Sequence, residues 1–389
     1  MPDPRRLASA LRGPLSDHGF SGAPQLDVAD LTTGQPLFSQ DAQTPEAPAS
    51  TAKLLIAAAV LHQLGPQARL QTKAYVAGGT IYLVGGGDPT LAPSRVRTEQ
   101  LTHGQLDDPA NLDDLAQQVR KAGVTHADHV VGDAGLFTGP PAAVGWQPYY
   151  LQSQVAPVAA LTVQERRATT PSVAATEEMR HALGAAGVTV GGSGLGRVPP
   201  GARLVGTVSS PPLSALVQHM LAESDNDLAE ALGRVLAVHA GRTGDFAGTA
   251  SAVLDGLQQL GLSTAGVQMH DASGLSQADR VPPALLVDIL RMASDPAHPE
   301  LRPIVDGLPV AGRTGTLAPR YRTALTRAGA GVVHAKSGRL AGMNALAGLV
   351  KTKNGRVLVF ALRAPTADLS SGEQAMDRVA ATLAGCGCR

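Results

Sequence analysis

The chain has 389 residues, enough for two or three average domains, and its 43% hydrophobic content can fill more than one core. Aromatics make up only 3%, so packing must rest on small aliphatic side chains. With 32 basic against 32 acidic residues the formal net charge is +0, which excludes the basic surplus of a nucleic-acid footprint.

No run approaches the roughly eighteen apolar residues that span a bilayer, and the first six residues lead into no apolar stretch of signal-peptide type. The expectation is a soluble chain with no visible membrane association, whose export signal has been removed if it acts outside the cell. Residues 4–17 read as a short helix, followed by strand-like runs 25–31 and 35–40 joined by Thr32-Thr33-Gly34, a hairpin. Ser50 opens an apolar segment, 54–64, free of glycine and proline, which predicts a buried helix. From about residue 73 to 207 the texture changes to short strands, turns and helices punctuated by Gly78-Gly79, Gly85-Gly86-Gly87 and Gly191-Gly192, as in an inserted region. Helices are predicted over 213–223 and 227–240. Ser224-Asp225-Asn226 falls in the turn between them, and Asp227 is the expected N-cap of the second. The chain returns to strands at 331–336, 343–350 and 356–363, with Asn354-Gly355 as a tight turn, and ends in a helix over 372–383. The hairpin and these three strands predict an α/β domain with an antiparallel sheet of about five strands flanked by helices. Residues 1–72 and 208–389 would form it, with 73–207 as a smaller inserted domain. Cys386 and Cys388, one residue apart in the C-terminal tail, would close almost no loop and are read as incidental.

Only six lysines occur, and two of them, Lys53 and Lys336, sit in a Ser-x-x-Lys and a Lys-Ser-Gly. At that frequency chance gives about half a match to the first pattern and less than roughly a tenth of a match to the second. Ser50 and Lys53 share a helix face, so the amine can take the serine proton. A free lysine, with a pKa of about 10.4, is a poor base at neutral pH; burial and a second cation, Lys336, must lower it. Ser50 at a helix N-terminus also sets backbone N–H groups beside the attacked carbonyl. Taken alone, the same pattern describes a serine N-cap followed by an exposed lysine. Ser224 can relay a proton to the leaving amine and Asn226 can bind the substrate backbone, while Asp225 is expected to turn outward. Lys336-Ser337-Gly338 is expected to end a strand, where glycine admits a ligand backbone, an extended peptide can pair, and Lys336 and Ser337 attract a carboxylate. Arg313-Thr314-Gly315 mimics this element but lies in a proline-flanked loop and has arginine in place of lysine. Gly85-Gly86-Gly87-Asp88 lacks the lysine-plus-hydroxyl ending of a phosphate cradle and reads as a turn. Trp146, Tyr149 and Tyr150 read as aromatic core of the insert. The eleven histidines show no metal-ligand spacing, so neither a metal nor another cofactor is expected.

With these residues in place, the chain resembles class C low-molecular-mass penicillin-binding proteins, the D-alanyl-D-alanine carboxypeptidase/endopeptidase family, over nearly its whole length. Pro48-Ala49-Ser50-Thr51-Ala52-Lys53-Leu54-Leu55 is similar to the family's active-serine segment, and Leu83-Val84-Gly85-Gly86-Gly87-Asp88-Pro89-Thr90-Leu91 to the segment after it. Asp271-Ala272-Ser273-Gly274-Leu275-Ser276, Gly315-Thr316-Leu317 and Ala335-Lys336-Ser337-Gly338 are similar to its later signatures. The resemblance implies a penicillin-binding transpeptidase-like (serine β-lactamase-like) domain with an insert between the first and second motifs. It implies Ser50 as acylated nucleophile, Lys53 as general base, Ser224 as proton relay, Asn226 and Ser337 as substrate contacts and Lys336 as electrostatic partner. Gly338 closes the site, and the N–H groups of Ser50 and Arg339 would form the oxyanion hole. Two departures stand out: Ser337 where threonine is usual, and Arg339 where a small residue is usual. The implied function is a serine DD-peptidase acting on D-alanyl-D-alanine bonds of peptidoglycan stem peptides on the extracytoplasmic side, as a carboxypeptidase and, by extension, an endopeptidase, with β-lactams as acylating inhibitors. Two alternatives stay open. One is a β-lactamase, against which the 174 positions from Ser50 to Ser224 speak; the other is a non-catalytic peptidoglycan-binding scaffold.

Overall fold

The computed structural model describes residues 3–94, 106, 109–164 and 169–387. The strands among them are, in chain order, β1 Gln25–Asp30, β2 Pro36–Gln40, β3 Gln71–Ala77, β4 Thr80–Val84, β5 His126–Asp133, β6 Thr189–Leu195, β7 Arg203–Ser209, β8 Val333–Leu340, β9 Met343–Lys351 and β10 Val357–Pro365. The chain divides into two compact units. One comprises residues 1–63, 217–225 and 253–389, the other residues 64–216 and 226–252.

In the first unit the expected antiparallel sheet forms in the order β2-β1-β10-β9-β8. Leu26 and Val28 of β1 and Leu358, Phe360 and Leu362 of β10 alternate onto one face. There they meet Leu7 and Leu11 of the helix Pro4–Leu15 and Met376, Val379 and Leu383 of the helix Leu369–Gly385. The core thus forms where the two-residue period of the strands faces the helical stripes, and each such side chain contributes about 1.5–3 kcal/mol by leaving water. The helix Pro283–Ala293 packs on β10 and β1. In the first hairpin the buried Asp30 carboxylate accepts the N–H groups of Thr32 and Thr33 and the Thr33 hydroxyl, which fixes the turn. The helix Lys53–Leu64 is buried from Lys53 to Leu61, as its unbroken apolar run requires. One boundary differs with consequence for the site. β8 does not end at Lys336 but runs on to Leu340, because Gly338 and Arg339 keep their pairing with Ala345 and Asn344 before the Ala341-Gly342 turn. The Lys-Ser-Gly therefore sits inside a strand. Cys386 is buried at the end of the last helix, and Cys388 lies outside the described residues.

The second unit has a mixed sheet in the order β6-β5-β4-β3-β7, with β4, β5 and β6 parallel and β3 antiparallel to both its neighbours. Ala74, Ile81, Leu83 and Val130 pack with Leu115 and Val119 of the helix Leu112–Lys121 and Met179 and Leu183 of the helix Pro171–Ala185. The glycine tract after β4 is a turn held by backbone bonds, from Gly85 N–H to the Asp133 carbonyl and from Gly87 N–H to the Ala160 carbonyl. Of the three aromatics read as core, only Tyr150 is buried. Tyr149 is 52% exposed, since it precedes the one-turn helix Tyr150–Ser153, and Trp146 meets Phe246 edge to face.

Asp88, next to that turn, is buried, and its Oδ1 accepts the N–H and hydroxyl of Thr90. Burial pushes its carboxyl up to about 6. Because the folded value lies above the unfolded one of about 3.9, the native state holds the extra proton between those values. This contribution to stability is complete below about pH 4 and is lost as pH rises through 6. Asp88→Asn keeps an acceptor for Thr90 and is expected to flatten that slope, making the variant more stable than the parent at pH 7 by at most about 3 kcal/mol. Melting curves of both proteins at pH 4 and pH 7 check this; an equal difference at the two pH values would contradict it.

Candidate active site

Ser50 and Lys53 do not lie on one α-helix. Ala49–Ala52 forms a 3-10 turn, and the α-helix begins at Lys53. In a 3-10 turn residues three apart eclipse each other, so the lysine is set directly over the serine. Lys53 Nζ lies 3.1 Å from Ser50 Oγ and donates to the Ser273 carbonyl at 2.7 Å. Lys53 is fully buried and Ser50 is half-buried. An amine that gives one N–H to a carbonyl can turn its lone pair to the serine hydroxyl, which is the geometry of a general base. The turn is entered by Ala49 at φ 48°, a left-handed conformation that costs a residue with a Cβ about 1–2 kcal/mol.

Ser273 is held in place by its own loop. The buried Asp271 carboxylate accepts the N–H groups of Gly274 at 2.8 Å and Ser276 at 2.7 Å. Gly274 has φ 79°, and a Cβ there would meet the Ala49 carbonyl oxygen at 2.0 Å. The Asp271–Ser276 loop and the Ala49–Ala52 turn are therefore in backbone contact.

Lys336 comes to the same site from β8. Its Nζ donates to Ser224 Oγ and to the Ser337 carbonyl, both at 2.8 Å, and it is fully buried. Burial first, and then the Lys53 ammonium, hold the Lys336 ammonium well below the usual lysine range; Arg320 adds to this and Glu223 opposes it. Two buried amines that repel in this way favour a pair that carries one proton rather than two. Ser224 itself has φ 60°, so the second motif too holds a non-glycine residue in the left-handed region. The Ser337 hydroxyl shares a hydrogen bond of 2.8 Å with Thr316 Oγ1. At Gly338 a Cβ would stand 3.0 Å from Ala49 Cβ, so glycine lets β8 lie against the Ala49–Ala52 turn. β8 is the edge strand, and the Ala335 N–H donates away from β9 to the Pro309 carbonyl. By strand alternation the N–H groups of Ser337 and Arg339 point to that same outer edge.

Set beside known proteins, the chain matches the profile of the D-Ala-D-Ala carboxypeptidase 3 (S13) family over residues 17–170 and 157–383. The chain belongs to the S13 family. It is 38% identical to carboxypeptidase Rv3627c of Mycobacterium tuberculosis, covering 93% of this chain and 80% of that protein. It is 37% identical to carboxypeptidase DacB of Mycolicibacterium smegmatis, covering 100% of this chain and 85% of that one. Among solved structures, penicillin binding protein 4 (dacB) from Haemophilus influenzae superposes with a TM-score of 0.77 at 19% identity, over 97% of this chain and 98% of the other. That likeness establishes the penicillin-binding α/β fold, and family membership makes the chain a serine D-Ala-D-Ala carboxypeptidase.

In this S13 carboxypeptidase the structure brings Ser50, Lys53, Ser224, Lys336, Ser337 and Gly338 together in the first unit. Asn226 is grouped with the second unit as the first residue of the helix Asn226–His239, where its Nδ2 donates to the Gln154 carbonyl. That helix begins one residue earlier than expected, so Asp227 is not its N-cap but stands in its first turn and accepts the Ala156 N–H. Asp225 does not turn outward; its carboxylate lies 3.7 Å from His219 Nε2. Arg313-Thr314-Gly315 is a loop, with Thr314 Oγ1 accepting the Val310 N–H. Two groups that sequence reasoning left without a role are the Ser273 carbonyl and the Thr316 hydroxyl. Both lie in segments it had singled out, but a main-chain acceptor and a hydroxyl-to-hydroxyl contact leave no mark in residue spacing. No described helix is long and apolar enough to cross a membrane.

Proposed function

We propose that Ser50 is the nucleophile of this carboxypeptidase and attacks the carbonyl carbon of the penultimate D-alanine of a peptidoglycan stem peptide. Lys53 Nζ takes the Ser50 proton as the Oγ–C bond forms. The oxyanion is stabilised by the N–H groups of Ser50 and Arg339, and Ser224 passes a proton to the leaving amine as the C–N bond breaks. Water then hydrolyses the ester and frees Ser50. Lys336 supplies positive charge beside Ser224, Ser337 and Asn226 contact the substrate, and Gly338 leaves room for its backbone along the β8 edge. Residues 1–72 and 208–389 serve as the catalytic domain, with 73–207 as an inserted domain. The protein works on the periplasmic or cell-wall side of the membrane, cleaves cross-links as an endopeptidase besides trimming stem peptides, and is acylated by β-lactams.

The observation that carries this reading is the pair of lysine contacts, Lys53 Nζ at 3.1 Å from Ser50 Oγ and Lys336 Nζ at 2.8 Å from Ser224 Oγ. A serine N-cap with an exposed lysine would have neither. Release of D-alanine from a peptide ending in D-Ala-D-Ala tests it. The intact protein is expected to release one D-alanine per peptide, and Ser50→Ala none above background; equal release by both would overturn the assignment of Ser50.

A further inference from the structure

Lys53 Nζ gives one N–H to the Ser273 carbonyl at 2.7 Å and stands 3.1 Å from Ser50 Oγ. The carbonyl that takes this bond shares its peptide unit with the Gly274 N–H. A trans peptide is planar, with C=O and N–H pointing in opposite directions, so whatever holds the Gly274 N–H also aims the Ser273 carbonyl. Asp271 Oδ1 holds it, at 2.8 Å. The other carboxylate oxygen accepts the Ser276 N–H at 2.7 Å, which anchors the carboxylate at a second point.

An unbroken line of hydrogen bonds thus runs from the Asp271 carboxylate through one peptide group to the Lys53 amine and on to the Ser50 hydroxyl. All of these residues belong to the first unit, and Asp271, Ser273 and Lys53 are buried. Away from water, a charge-assisted bond at one end of a peptide raises the electron density on the carbonyl at the other, and the bonds of such a chain strengthen one another. The effect has a direction. A carbonyl polarised by an anion binds an ammonium better than a neutral amine, so the line favours Lys53 in the state it reaches after taking the Ser50 proton. Lys336 makes such help necessary, because its buried ammonium and that of Lys53 repel. An anchor for two N–H groups needs acceptors but no charge, and burying a carboxylate is unfavourable. The charge is explained if Lys53 uses it.

Resting on the reading of Lys53 as general base, we propose that Asp271 is its remote counter-ion, acting through the peptide between Ser273 and Gly274. As Ser50 Oγ bonds to the substrate carbonyl carbon, its proton passes to Lys53 Nζ, and the ammonium so formed is stabilised by the polarised Ser273 carbonyl. Asp271 takes up no proton itself. The arrangement follows the logic of a Ser-His-Asp triad, with one peptide group interposed between carboxylate and base. Asp271 touches no reacting atom and is a positioning residue.

Asp271→Asn is the informative change, because its Oδ1 can still hold the Gly274 N–H while the charge and the Ser276 bond are gone. Acylation by benzylpenicillin is followed as adduct mass over a range of penicillin concentrations, in the parent, Asp271→Asn, Lys53→Met and the double variant. Asp271→Asn is expected to lower the acylation rate constant at saturation by about 10- to 100-fold and to leave the half-saturating concentration within about threefold. In the Lys53→Met background the same change is expected to alter the residual rate by less than about threefold, since the group it acts through is gone. An unchanged rate constant in Asp271→Asn, or an equal fold loss in both backgrounds, overturns the proposal; the second outcome is that of a loop that merely packs. Near-parental acylation by Lys53→Met overturns the base assignment, and this inference with it. A second measurement covers an Asp271→Asn protein that does not fold. With isotope-labelled serine and glycine, the Gly274 amide proton is read by NMR in the parent and in Lys53→Met, where it is expected to move upfield as the peptide loses the Lys53 bond. An unmoved amide shows that the two bonds are not coupled, and overturns the proposal as well.

Discussion

Lys53→Met is expected to slow acylation of Ser50 by about 10³- to 10⁴-fold or more, measured as the rate of benzylpenicillin adduct formation, with the fold intact. Methionine matches the length of the lysine stem and suits the fully buried site, so the helix Lys53–Leu64 keeps its packing. What disappears is the group 3.1 Å from Ser50 Oγ that can accept its proton. The Ser273 carbonyl loses its donor as well, a cost of about 1–3 kcal/mol if no water replaces it. That cost is offset in part by removal of a buried amine. Near-parental acylation by Lys53→Met would show that the proton leaves Ser50 by another route.

Lys336→Met is expected to act in opposite senses on activity and stability. Removing the cation bonded to Ser224 Oγ should cost about 10²- to 10³-fold in acylation. Stability should rise. The folded Lys336 ammonium titrates well below the usual lysine range because burial and the Lys53 ammonium disfavour it. The unfolded chain therefore binds the proton more readily, and the parent gains stability as pH rises from the folded value toward the unfolded one of about 10.4. As pH falls through the folded value that contribution is lost. A methionine does not titrate, so the variant is expected to melt a few degrees higher than the parent at pH 6, about 1 kcal/mol, and the gap should narrow by pH 9. Melting curves at the two pH values and the rate of adduct formation check both parts; a gap that widens with pH would contradict the electrostatic account.

The proposed site was legible to the extent that its chemistry rests on patterned side chains. With six lysines in the chain, two patterned lysines stand out, and the roles proposed for Ser50, Lys53, Ser224 and Lys336 belong to side chains at fixed spacing, which the structure brings together. The sheet of the first unit was legible for a related reason. The runs that became β1, β2, β9 and β10 are bounded by turns with strong local signals, Thr32-Thr33-Gly34 and Asn354-Gly355, and antiparallel neighbours need nothing further. Most of the second unit was read as an inserted domain of short strands, turns and helices, without an order for its sheet. Its parallel pairs β4-β5 and β5-β6 join strands far apart in sequence, and β6 has Gly191, Gly192 and Gly194 where a strand signal needs branched side chains. The extension of β8 past Gly338 escaped notice because glycine after Lys-Ser reads as a stop; here it marks a close approach to Ala49. The left-handed Ala49 and Ser224 were likewise invisible, since neither residue type favours that conformation and both are held there by their surroundings.

The central claim is a covalent acyl-enzyme on Ser50, and intact-protein mass after mixing with benzylpenicillin tests it most directly. The account predicts a single adduct of one penicillin that persists over minutes to hours and is absent in Ser50→Ala. Rapid return to the free mass with penicillin consumed would instead mark a β-lactamase, and no adduct, or an adduct that survives in Ser50→Ala, would contradict the assignment of the nucleophile.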